Sequence, residues 1–265
     1  MKSIRFSRKQ LSIPYVLFLI CFVAIPTLII VYYAMTDATG KISFANFISF
    51  FQNKAKIVDL IRSFLLAFIN TFICLLISYP LALILSNKKY NKNFIIVLMF
   101  LMPMWINFVL RTAATRELLR MIGLDGGVYP YTASIIGLVY NYIPFMLMPL
   151  YSTMLKMDKS LLEASADLGA KPWQTFFKTT IPMTMPGIVS GCTMVFMPTM
   201  SSYVIVDIMS EYKIAILGNL IEDSFNLSNW NGGSFVALIM LLIIAISQFL
   251  TRNVSKEENV RGALW

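Results

Sequence analysis

The chain has 265 residues, 58% hydrophobic and only 13% charged, with a mean hydropathy of +0.72. That charge content is well below the roughly one quarter usual in soluble domains and excludes an ordinary water-soluble globule. Twenty-two Lys and Arg against 13 Asp and Glu leave +9, and there is no histidine, which excludes most zinc, haem and non-haem iron sites and every His-dependent triad or general base.

A helix needs about 20 apolar residues to cross a hydrocarbon core. Six uncharged runs of that order occur, at 13–35, 63–85, 94–110, 131–155, 187–206 and 234–250, predicting an all-α integral membrane protein. The first follows Lys2, Arg5, Arg8 and Lys9, as a signal peptide would, but it exceeds a cleavable core of about 7–15 residues, so a retained span is expected. The third run is short. The residues after it, Arg111 to Arg120, are good helix formers that stop near Gly123, so the helix is expected to continue past a snorkelling Arg111. Pro103, Pro144, Pro149 and Pro198 are kink or hinge candidates within spans. Asn70, Asn107 and Asn141 lie at interior depths, where lining a cavity and bonding between helices are equally good accounts. Cys21, Cys74 and Cys192 show no ligand spacing and read as packing thiols.

With the amino terminus inside, the inner segments hold 14 of the 22 basic residues and 5 of the 13 acids. The whole +9 then falls on one side, which is the positive-inside pattern and accounts for the charge without nucleic acid. Six spans return the carboxyl terminus to the same side. The expected organisation is a cytoplasmic basic segment 1–12, one membrane domain 13–250, and a cytoplasmic tail 251–265.

The largest inner loop, about 156–186, carries the most information. Ser160-Leu-Leu-Glu163 is a capping box, in which Ser160 accepts from the N–H of residue 163 and Glu163 reaches back. The helix it starts should stop near Leu168, because Gly169 can take a left-handed conformation. Pro172 suits the first turn of a second short helix whose Trp173, Phe176 and Phe177 share one face, with Pro182 and Pro186 ending it before the fifth span. Aromatics resting in the headgroup region and a helix pair docking into a partner groove both fit that spacing.

The wording Glu163-Ala-Ser-Ala-Asp-Leu-Gly169-Ala170, with Ile181-Pro182 at positions 18 and 19 after the Glu, resembles the EAA signature E-A-A-x3-G-x9-I-x-L-P of permease subunits in bacterial ABC importers. Ser165, Thr179 and Ile181 replace the second Ala, the Ile and the Leu, leaving Glu, Gly and Pro in register. The resemblance covers roughly residues 60 to 250. It implies the type I ABC importer permease fold, six spans with both termini cytoplasmic, and a coupling helix seated in a cleft of a separate ATPase. Ser160, Glu163, Ala164, Asp167, Gly169, Ala170 and Pro182 are the implied coupling residues, with Glu163 facing basic residues of the ATPase. The runs from Lys156 to Ala170 and from Thr180 to Cys192, with Val206-Asp-Ile-Met209 and Leu217-Gly-Asn-Leu-Ile221, look like the first permease subunit of the spermidine/putrescine branch. Importers for ferric iron or thiosulfate share the EAA loop and are the alternative.

No G-x-x-x-x-G-K-[ST] occurs, so no cofactor is expected in this chain, and ATP and magnesium belong to partner subunits. The resemblance implies a second permease subunit, two ATPase subunits and an external polyamine-binding protein. A membrane enzyme is disfavoured by the lack of any His or Cys cluster or nucleophile elbow, and a purely structural membrane protein gives no reason for the loop. A polycation path needs carboxylates and aromatic faces. Asp207, Glu211, Glu222 and Asp223 stand against Lys213 alone in the last outer stretch; for the latter three acids a solvated loop is the plainer reading. The path candidates are Tyr203 and Asp207, one turn apart, with Asn107, Asn141 and Trp230.

Overall fold

The computed structural model describes residues 13–37, 39–87, 94–158 and 160–262, with side chains as far as Phe249. The basic segment 1–12, Lys88, Lys89, Lys92 and Lys159, and the last three residues of the tail lie outside the described residues. All described secondary structure is helical apart from one isolated bridge between Thr36 and Ile42. Five helices are long and apolar enough to span a membrane: α1 (Ile13–Ala34), α3 (Lys54–Ser86), α6 (Pro130–Leu155), α8 (Pro172–Ser201) and the apolar part, Trp230–Phe249, of α11 (Trp230–Gly262). A sixth candidate is the pair α4 (Ile95–Trp105) and α5 (Phe108–Met121). The shorter helices are α2 (Ala45–Gln52), α7 (Ser160–Asp167), α9 (Tyr203–Ser210) and α10 (Leu217–Asn226).

The chain forms two compact units. One holds the residues up to Ile57 with Asn219–Ile243. Here α1 buries nothing before Ala34, and its end is closed by two amides. Asn231 Nδ2 donates to the carbonyls of Tyr33 at 3.1 Å and Thr36 at 2.8 Å, and Asn46 Nδ2 to those of Ala34 at 3.2 Å and Thr36 at 2.9 Å, so carbonyls the helix cannot pair internally are satisfied. Phe47 and Phe50 pack on Phe235, with centroids 6.0 and 5.8 Å away.

The other unit holds Val58–Gly218 and the chain from Ile244. Its centre is α6, along which α8 and α9 pack, with α5 against its first half. Small residues let α6 and α8 approach closely, as membrane interfaces require when lipid offers no hydrophobic drive. A Cβ on Gly187 would stand 2.7 Å from Thr153 Oγ1 and 3.0 Å from the Pro149 carbonyl, and one on Gly191 only 2.7 Å from Met146 Sδ.

Three expectations are corrected here. The helix does run past Arg111 and stops at Met121, just before Gly123, but not as one span with the third run: α4 and α5 meet at 98°. Pro103 opens a 3₁₀ turn, Ile106 is extended, and Asn107 caps a fresh helix by accepting from the Val109 N–H at 2.9 Å. Arg111 does not snorkel but is buried. Pro182 and Pro186 do not end the second short helix, which runs on as the single helix α8. A five-residue π-turn at Phe176–Thr180 lies just ahead of Pro182, opening the ladder where a prolyl ring would otherwise meet the carbonyl four residues back. The fifth span ends at Ser201 instead of 206: Ser201 Oγ and Ser202 Oγ both bond the Pro198 carbonyl, at 3.1 and 2.8 Å, and α9 starts anew at Tyr203. Serine pairs and proline are recognised causes of such breaks.

Candidate functional site

The exposed helix pair forms largely by local rules. α7 ends as expected at Gly169, whose φ is +81°. The Gly169 N–H bonds the Ala166 carbonyl at 2.9 Å and the Ala170 N–H the Ser165 carbonyl at 3.2 Å, the two reversed bonds of a Schellman close. The start differs from the capping box. Ser160 is the first helical residue, and its N–H bonds Asp158 Oδ1 at 2.9 Å. That bond and a second from the Ser160 hydroxyl hold the Asp158 carboxyl below its ordinary value. Pro172 opens α8, with Gln174 Oε1 accepting from the Lys171 N–H at 2.9 Å, and Ser165 Oγ meets Thr175 Oγ1 at 3.1 Å to join the two helices.

Ala164, Ala170 and Pro182 come together with Leu161 and Leu168 along a shallow groove. Glu163, Asp167 and Ser160 are exposed and lie outside its lining. The aromatic face splits: Phe176 turns inward onto Tyr79, centroids 5.7 Å apart, while Trp173 and Phe177 stay exposed. The π-turn changes the angular step and so separates side chains that ordinary helical spacing would have aligned.

A cavity of about 580 Å³ opens where the two broken spans restart. Its lining includes Asn107, Phe108 and Arg111 from the start of α5, Asn141, Tyr142 and Phe145 from α6, and Ser202 and Tyr203 at the start of α9. Among the sequence-derived path candidates it gathers Asn107, Asn141 and Tyr203. Asp207 is buried one turn further along α9 and is not among the lining residues, and Trp230, at the start of α11, is exposed and packs on Phe225 at 5.4 Å. Asn141 serves both accounts offered for it. Its Oδ1 accepts from Arg111 Nε at 3.0 Å and Nη2 at 2.5 Å, and its Nδ2 donates to Thr112 Oγ1 at 3.1 Å and the Gly137 carbonyl at 2.8 Å. Asn70 is fully buried and bonds Thr199 Oγ1 at 2.8 Å, so it ties α3 to α8. Tyr142 and Ser202 share a hydrogen bond across the cavity wall.

Arg111 is the cavity residue that sequence reasoning misplaced. The signal was present, since an ionisable residue adjoining an apolar run marks a functional position by default. Ser202 and Tyr142 had no such mark, because their pairing spans 60 residues. No group of His, Cys, Asp or Glu able to hold a metal occurs among the described residues.

Residues 5–258 match the family described as binding-protein-dependent transport system inner membrane component. The chain is similar to the spermidine/putrescine transport system permease protein PotB of Haemophilus influenzae, 33% identical over 260 residues and covering 90% of each chain. It is 32% identical over 252 residues to the protein of the same name in Escherichia coli, covering 86% of this chain and 90% of that one. Among solved structures it resembles a chain of the bacterial alginate ABC transporter in complex with alginate pentasaccharide-bound periplasmic protein, with TM-score 0.72, 16% identity and 94% of each chain covered, a likeness of fold alone. The chain therefore belongs to the binding-protein-dependent inner membrane components, the transmembrane permease subunits of ABC importers.

Proposed function

We propose that this chain is one of two permease subunits of an ATP-driven importer for polyamines of the spermidine and putrescine type. It forms half of the translocation path and couples to a separate ATPase through α7. Both termini and α7 then lie in the cytoplasm, as the distribution of basic residues favours. The partners are a second permease subunit, two ATPase subunits that bind ATP and magnesium, an external polyamine-binding protein and membrane lipid, with no nucleic acid. The observation that carries this reading is the 33% identity to the Haemophilus influenzae polyamine permease over 90% of both chains.

The chemistry of the cavity supports it. Trp105, Phe108, Tyr142, Phe145 and Tyr203 offer aromatic faces on which an ammonium gains about 0.5–2 kcal/mol, depending on desolvation. A path needs sites strong enough to enter and weak enough to leave, and aromatic faces without a ring of carboxylates meet that condition. At the other end, Glu163 and Asp167 are exposed on a helix closed at Gly169 by two backbone hydrogen bonds and followed directly by α8, an arrangement suited to transmitting movement of the ATPase pair to α8. ATP supplies the free energy that alternates the path between its two openings.

The test is reconstitution of the full complex in proteoliposomes with radiolabelled spermidine and putrescine. Wild type should accumulate at least one of them with ATP, and Glu163→Lys should lose uptake while still inserting with its partners. Transport of another solute but no polyamine would discard the substrate class. Full uptake by Glu163→Lys would remove α7 from coupling.

A further inference from the structure

The short helix α2 is fastened to the end of the first span. The Thr36–Ile42 bridge, the Ser43 N–H on the Met35 carbonyl at 2.9 Å, and Asn46 Nδ2 on the carbonyls of Ala34 and Thr36 turn the chain back so that α2 starts beside the close of α1. Only Asn53 then separates α2 from α3, the next span. Tyr32 and Tyr33, exposed in the last turn of α1, are the side chain type that gathers at headgroup depth. A helix tied to the end of one span and running straight into the next lies at the membrane surface.

Its faces divide unevenly. Asn46 is engaged by α1, and Phe50 is buried against Phe235. Beside them Phe44, Phe47, Ile48 and Phe51 fall at i, i+3, i+4 and i+7, a stripe within about 100° of arc. Each is at least 50% exposed, Phe47 included although one edge of its ring meets Phe235. Ser49 and Gln52 are exposed on the remaining side. An apolar stripe bordered by a polar one is the form of a helix lying in an interface.

Charge marks the kind of surface it meets. Lys41, Lys54 and Lys56 are the only charged residues between Asp37 and Asp59. Among the described residues none of these three ammonium groups is in an ion pair. The flanking acids are already engaged: Asp37 Oδ1 accepts from the Thr39 hydroxyl and N–H at 2.6 and 2.8 Å and from the Lys41 N–H at 3.1 Å, and Asp59 pairs with Arg62 at 3.2 Å. The two ends of α2 are therefore basic, with an apolar stripe between them.

We propose that α2 is a lipid-docking helix that selects anionic phospholipid, its Phe44, Phe47, Ile48 and Phe51 stripe set among the acyl chains and Lys41, Lys54 and Lys56 on the headgroup phosphates. Lysine stems reach along apolar surface while their charges stay at the headgroups, and an anionic headgroup draws them more strongly than a zwitterionic one. The contact fixes the turn between the first two spans at headgroup depth. It rests on the chain spanning a membrane and not on the solute carried.

The test is photolabelling of the full importer in phosphatidylcholine vesicles containing a small, equal fraction of either phosphatidylglycerol or phosphatidylcholine with a diazirine at the same acyl position. Peptides covering residues 44–51 are quantified by mass spectrometry after digestion. Wild type should be labelled several-fold more by the phosphatidylglycerol probe, and high salt should reduce that preference. Replacing Lys41, Lys54 and Lys56 together by Gln should bring the two probes level, and Ile48→Ser with Phe51→Ser should lower labelling by both. All five positions are at the surface of the chain, so these variants keep the packing of α2 on Phe235. Equal labelling of wild type by the two probes overturns the proposal, as does a preference undiminished in the triple Gln variant. So does the absence of label from either probe, the result expected if the stripe is covered by the second permease subunit or faces water.

Discussion

Two turns redirect this chain by opposite means. At Gly169 the turn is local: its bonds close within Ser165 to Ala170, and nothing lies within 4 Å of where a Cβ would stand. At Asn107 the chain swings through 98°, and the helix that follows is held by Arg111 and Thr112 bonding Asn141, about 30 residues further on. The first turn needs only its own residues. The second needs α6 in place beneath it.

That contrast can be broken most severely at Asn141. Asn141→Leu removes the acceptor for two guanidinium donors and leaves a buried charge unpaired, which should destabilise the folded protein by about 3 kcal/mol or more. The thermal midpoint in detergent reads this, and Arg111→Met in the same chain should recover part of it. A single variant as stable as wild type would show that the crossing does not hold α5.

A smaller loss is expected where α6 and α8 touch. Gly187→Leu drives side-chain atoms into Thr153 and the Pro149 carbonyl and should cost about 1–3 kcal/mol, as overpacking usually does. Thr153→Ala should relieve part of the effect of the milder Gly187→Ala, and simple additivity of those two would place the contact elsewhere.

At Gly169 the cost should be confined to the turn. Gly169→Val must hold a β-branched residue at positive φ, a penalty of about 1–2 kcal/mol, with no clash to add to it. Insertion and global stability should be nearly unchanged, solute-stimulated ATP hydrolysis by the complex should fall, and Gly169→Asn should be tolerated better. Equal activity in all three forms would mean that the close of α7 does not serve coupling.

The smallest effect belongs to Asp158. Because hydrogen bonds lower its folded pKa, its contribution is complete above the unfolded value of about 3.9 and disappears as pH falls through the lower folded value. Amide exchange in the first turn of α7 should therefore quicken in that acid range in wild type and show a weaker pH response in Asp158→Asn. Matching profiles would leave the capping to another group.

The sequence by itself determined the features whose causes lie within a few residues of one another. Apolar length marks five spans and the first half of the sixth, Gly169 and Pro172 place the exposed helix pair, and the EAA wording assigns the family. Even the break at 107 left a trace, since Asn is a preferred helix cap and Pro103 stands four residues before it. The tertiary structure alone decided where the polar groups of the spans go. Arg111 reads as a snorkelling residue until Asn141 is brought against it, and Tyr142 and Ser202 become neighbours only when α9 packs on α6. The physical reason is that a charge or hydroxyl in a low-dielectric interior is stable only with a partner, and these partners lie between about 30 and 60 residues away along the chain.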